Sequence, residues 1–148
     1  MNSLERPSAG RTLSRLVVAL FFVFVGLHHG IDPEPYLAIM PPYLPWHLEL
    51  VYLSGVFEVL GGLGLLLKRT RRWAAWGLLA LLVAVYPANI HMLVNDVYLP
   101  DMPEKRWLLW VRMPMQFVFA AAVLWAGELW PRAEQGAAQD EAGQGPST

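Results

Sequence analysis

The sequence predicts an all-α integral membrane protein, a four-helix bundle with its N and C termini both cytoplasmic. Three observations carry that expectation. Only 16% of the 148 residues are charged and 55% are hydrophobic, whereas a soluble domain carries about a quarter charged residues. Four apolar stretches are each long enough for a hydrocarbon core of roughly 30 Å, which takes about 20 helical residues. Basic residues are dense in alternate loops and sparse in the others.

Composition narrows the function classes. The length allows one domain. A net charge of −1 leaves no basic footprint for nucleic acid. The chain has no cysteine, which excludes thiol nucleophiles, dithiol relays and zinc–thiolate sites.

Residues 1–12 form a polar cytoplasmic segment carrying Arg6 and Arg11, and the transmembrane domain is expected over residues 13–130. Its first helix is expected over 13–29, with Arg15 snorkelling to the interface. The apolar core of that helix, Leu16 to Leu27, is short enough for a signal peptide. The following His28-His29-Gly30-Ile31-Asp32 offers no small-x-small cleavage site, so an uncleaved anchor is expected. Residues 30–47 contain Pro33, Pro35, Pro41, Pro42 and Pro45, which admit no helix beyond a turn or two. A structured loop with a short turn at Tyr36–Met40 is expected, and Tyr36, Tyr43 and Trp46 suit the interfacial belt.

The second helix, 48–67, is apolar except for Glu58 near its middle. Its Leu, Val and Phe residues together favour insertion by about 5 kcal/mol, against about 3 kcal/mol for one central ionisable group. Glu58 is therefore insertable, but it needs a partner away from lipid. Lys68–Arg72 is a short loop, so the third helix, 73–94, returns antiparallel. Pro87 frees the carbonyl of Val83 within it, a break tolerated where neighbours satisfy the freed group. A polar loop, 95–106, leads to the fourth helix, 107–130, in which Pro114 frees the carbonyl of Trp110. The tail, 131–148, is expected to be a disordered cytoplasmic segment. One side of the bundle collects Arg6, Arg11, Arg15, Lys68, Arg69, Arg71, Arg72 and Arg132, and the other only Lys105 and Arg106. The positive-inside rule then puts both ends in the cytoplasm.

Side by side, the helices bring their polar groups to the outer half of the bundle. Glu58 lies near mid-membrane, Arg112 and Gln116 share a face of the fourth helix, Asn89 and His91 lie on the third, and His28 and His29 end the first. Glu58 and Arg112 are expected to pair, since pairing removes two large insertion costs. Two readings follow: an ion pair that only fixes helix register, or a polar pocket for a small polar or quinone-like headgroup. Adjacent His28 and His29 point about 100° apart on a helix, and no H-x-x-x-H or H-E-x-x-H spacing occurs, so no metal site is expected. Ser54, Glu58 and Gly62 share a stripe, and Gly55, Gly61, Gly62 and Gly64 invite close helix packing. Trp73, Trp76, Trp107, Trp110 and Trp130 read as interface anchors, and Met113 and Met115 as core filler.

Gly26-Leu-His-His29, Pro33, Pro42-Tyr-Leu-Pro45, Ser54-Gly-Val-Phe-Glu58-Val-Leu-Gly-Gly62, Thr70-Arg-Arg72, Pro87-Ala-Asn89 and Arg112-Met-Pro-Met-Gln116 together resemble the DoxX-like family of small four-helix membrane proteins. The resemblance covers about residues 13–128. It implies a bacterial inner-membrane protein and carries over His29, Glu58, Asn89, Arg112 and Gln116. The family's histidine is usually followed by an aromatic residue, and Gly30 stands there in this chain. Some members are linked to thiosulfate:quinone oxidoreduction, others to membrane oxidoreductase complexes under oxidative stress. Without cysteine, any redox role that the resemblance implies needs a bound quinone or a partner's cofactor. The sequence thus supports a quinone- or small-ligand-binding subunit of a membrane redox system, with a non-catalytic accessory or assembly protein docking a partner through its outer loops as the alternative. A small-solute carrier lacks the second repeat to rock against. No residue set reads as catalytic.

Overall fold

The computed structural model describes residues 9–99 and 103–129. Five helices follow in order: α1 (Ala9–Ile31), α2 (Glu34–Ala38), α3 (His47–Leu66), α4 (Arg71–Asn95) and α5 (Arg106–Ala126). All but α2 are long and apolar enough to cross a membrane. They run up and down in a ring. α1 packs on α3, α3 on α4 and α4 on α5, and α5 closes back on α1. The start of α1, the α3–α4 loop and the end of α5 therefore share one end of the bundle, as the sequence expects. The expected tail, 131–148, lies outside the described residues, as does Trp130.

Helices α1 and α3 approach closely through small residues spaced seven apart on each. A Cβ added to Gly26 would lie 2.5 Å from the carbonyl oxygen of Gly55, and one added to Gly62 would lie 2.7 Å from that of Ala19. On its other side α3 meets α4, where a Cβ on Gly61 would press on Leu78 and one on Gly64 on Ala74. In lipid, apolar side chains gain little from leaving their solvent, so close van der Waals fit holds such helices together. A core of Ala19, Phe22, Leu65, Ala75, Leu78, Val123 and Ala126 fills the end near the α3–α4 loop. Outward-facing Leu13, Phe24, Leu60, Trp73, Val83 and Phe117 are exposed. No more than 28% of any spanning window is buried within the bundle, so most of the apolar surface faces the surroundings. Together these features make the chain a multi-pass membrane protein.

Several boundaries differ from expectation. Helix α1 is already helical at Ala9, the first described residue, so it includes polar residues ahead of the expected start at 13. Pro87 and Pro114 interrupt neither α4 nor α5. Beside Pro87, the carbonyl that takes a tertiary bond is that of Leu82, from Gln116 Nε2, and not that of Val83. Proline tilts the carbonyl one turn before it and opens that stretch of α4 to its neighbour. Met115 is exposed rather than core filler, because it points away from the ring.

Helix α5 stops at Ala126, earlier than hydropathy suggests. The amide of Leu129 donates to the carbonyl of Leu124 at 3.0 Å and that of Glu128 to the carbonyl of Trp125 at 3.3 Å, a Schellman pattern. Its left-handed position is filled by Glu128 at φ 58°, although Gly127 is the preceding residue. The side chain explains the choice. Glu128 Oε1 accepts from Arg15 Nη2 at 2.7 Å and from Arg71 Nη1 at 3.1 Å. Arg15 also donates to the carbonyl of Ala126 at 3.1 Å, and Arg71 to that of Leu65 at 3.1 Å. Arg15 is thus 5% exposed and bridges to α5, instead of snorkelling as expected.

Candidate functional site

At the other end of the bundle the four long helices enclose a cavity of about 430 Å³. The ring separates there because the close glycine contacts of α3 with α4 lie nearer the opposite end. Each element contributes a polar side chain to the wall: His29 from α1, Tyr36 from α2, Glu58 from α3, Asn89 from α4, and Arg112 and Gln116 from α5. The rest of the lining is apolar, with Val25, Phe57, Leu82 and Phe119 among it. Five of the seven residues singled out in the sequence meet in this one space. His28 and His91 do not line it. His28 instead touches the Tyr36 hydroxyl through Nδ1 at 3.2 Å.

The polar side chains form two groups. On one side, Arg112 Nη2 donates to Asn89 Oδ1 at 3.5 Å, Asn89 Nδ2 to Gln116 Oε1 at 2.6 Å, and Gln116 Nε2 to the carbonyl of Leu82. This chain ties α5 to α4, and the amide orientations are those that complete it. On the other side, His29 Nδ1 donates to the carbonyl of Val25 at 2.8 Å and lies 3.4 Å from Glu58 Oε2. The Tyr36 ring stacks on His29 with centroids 3.7 Å apart and planes 20° apart.

The expected ion pair between Glu58 and Arg112 is not formed; the ionisable group near Glu58 is His29. The ring order is the reason. α3 and α5 are diagonal, not adjacent, so the carboxyl and the guanidinium face a common cavity from opposite walls. Both keep unused capacity. Among the described residues, Glu58 Oε2 and Arg112 Nε are buried without a hydrogen-bond partner, as are Arg11 Nε and His91 Nδ1 outside the cavity. Native proteins leave few such atoms.

Tyr36 was legible only as an interfacial aromatic. It roofs the cavity because Pro33 and Pro35 seed the one-turn helix α2 directly above α1. Burial, with Glu58 and Asp32 nearby, pushes its phenol above the ordinary tyrosine range, so it remains a neutral donor. Ile39, Met40 and Leu44 continue the roof. Three of the cavity's exposed lining residues, Leu53, Phe57 and Ala84, lie on the flank between α3 and α4, and a fourth, Phe21, lies on the flank between α1 and α5. On that second flank Phe21 stacks on Phe119, with ring centroids 4.9 Å apart, across α1 and α5.

With the site described, comparison with known proteins adds one fact. Residues 18–129 match the model of a family described as Domain of unknown function (DUF8561), and the chain belongs to that family. Neither a curated protein nor a solved structure matches it.

Proposed function

We propose that this DUF8561 chain is a ligand-binding subunit of a membrane redox system, related to DoxX-like proteins and seated in a bacterial inner membrane with both ends cytoplasmic. Its ligand is a quinone or quinol, or another small molecule with two oxygens on an apolar body. The observation that carries the reading is the pair of unsatisfied groups across one apolar cavity, Glu58 Oε2 and Arg112 Nε. A carboxyl group accepts from a quinol hydroxyl or, when protonated, donates to a quinone carbonyl, and a guanidinium N–H donates to a carbonyl or hydroxyl oxygen, so one two-oxygen headgroup answers both. A mostly apolar wall with a few converging polar groups is the usual make-up of small-ligand sites of roughly 300–1,000 Å³. The basic residues of the α3–α4 loop support the orientation.

Purification in mild detergent followed by analysis of co-extracted small molecules tests the function. A quinone recovered in near-stoichiometric amount supports it. Recovery of a partner protein with no small molecule overturns it in favour of an accessory role. A tag at Thr148 tests the orientation, which is wrong if the tag is reached only from outside.

A further inference from the structure

We infer that the ligand is a single-chain amphiphile, whose head sits in the cavity and whose apolar chain lies in a groove on the lipid-facing flank between α3 and α4. The inference rests on the proposed reading of the cavity and adds the class of ligand and its direction of entry. A second hollow, of about 400 Å³, runs along that seam. Phe57 lines both spaces, so the groove begins where the cavity opens. Its walls are Leu60 and Leu63 of α3, Leu67 just past its end and Trp73 of α4, all exposed. Phe57, Leu60 and Leu63 are spaced at three residues along α3, so they form one stripe facing the seam. The floor is glycine: Gly61, Gly64 and Gly77.

From Glu58 to Leu67 the groove extends about 14 Å at 1.5 Å per residue, enough for a medium-length linear chain. The flank geometry selects the route. Leu53, Phe57 and Ala84 stand exposed at the seam, where Phe57 joins the cavity to the groove, whereas Phe21 on the α1–α5 flank is exposed but stacks on Phe119 and does not line the groove. An amphiphile moving sideways from the bilayer would enter head first past Phe57. Its chain would then remain in the groove, in contact with lipid on one side.

Gly77 permits a clean test, because a Cβ there meets nothing within 4 Å. Gly77→Leu fills the groove without disturbing a helix contact, whereas Gly61 and Gly64 are packed too tightly for substitution. The probes are the ubiquinone headgroup without a side chain and its decyl derivative, titrated into purified wild-type and Gly77→Leu protein in one detergent. Partition of the chain into micelles is the same for both proteins and cancels in the comparison. The expected result is a loss of about tenfold in affinity for the decyl probe, the scale of overpacking an occupied space, with the headgroup probe unchanged. Equal losses or no loss for the two probes overturn the groove and leave the cavity reading intact. Failure of both probes to bind wild-type protein overturns both. A variant that keeps its chain preference but loses a dimer present in the wild type makes the groove a contact between copies, and the inference is wrong. Wild-type and variant thermal midpoints within a degree or two establish that folding is not the cause.

Discussion

Glu58 and Arg112 face the cavity from diagonal helices and do not touch, whereas Asn89 and Gln116 are joined by a 2.6 Å bond. This difference is measurable in double-substitution cycles of unfolding free energy in micelles. Asn89→Ala and Gln116→Ala should be non-additive by about 0.5–1.5 kcal/mol, the range of side-chain hydrogen bonds between membrane helices. Glu58→Gln and Arg112→Gln should add within about 0.5 kcal/mol, as non-contacting sites do. A strong coupling between the latter two would restore the direct pair. At this scale the sequence pointed to five polar residues that share one cavity and was silent about their partners. A lone acid and a lone base deep in two helices are visible as costs that must be offset. Which helices adjoin is not visible, and adjacency gives Glu58 to His29 and Arg112 to Asn89. His91, singled out for its depth, lies outside the cavity because it points to another face of α4.

Helix contacts make the next set of demands. Gly55→Val should cost about 2 kcal/mol or more, because the added atoms overlap the backbone of α1 at Gly26 and the beginning of the His29 side chain. Gly30→Ala, where a Cβ meets nothing, should be neutral in the same unfolding assay. At the end of α5 two effects oppose each other in one residue. Glu128→Ala loses both guanidinium contacts and keeps a left-handed backbone unsuited to alanine, so it should destabilise by about 3–5 kcal/mol. Glu128→Gly loses the same contacts and relieves the backbone, so it should be milder by about 1 kcal/mol. Equal effects would remove the strain from the account. The glycine contacts were readable from spacing alone, since Gly55 and Gly62 lie seven residues apart. The Arg15–Glu128–Arg71 cluster was not, because it joins residues 113 and 57 apart in the chain. Its one local sign was a basic residue set inside an apolar helix, which reads equally well as snorkelling.

Across the whole molecule, packing and function are segregated by depth. The end near the α3–α4 loop is dry and closely packed, and three charges are clamped together behind it. The other end is held apart around a polar cavity and roofed by a proline-started turn. The closely packed half fixes the ring, and the ring holds a carboxyl and a guanidinium across a gap they cannot close. That arrangement was half legible. Convergence of polar residues at one depth follows from counting along helices of known direction. The gap between them follows from ring order and the packing of α1 on α3, which no single stretch encodes. The most direct test is calorimetric titration of the ubiquinone headgroup into wild-type protein, Glu58→Gln, Arg112→Gln and the double variant, all matched for thermal stability. The account predicts saturable binding by the wild type, at least about tenfold weaker binding by each single variant, as for a lost hydrogen bond to a charged group, and none by the double. Binding that survives both substitutions unchanged, or wild-type protein that binds nothing, would contradict it.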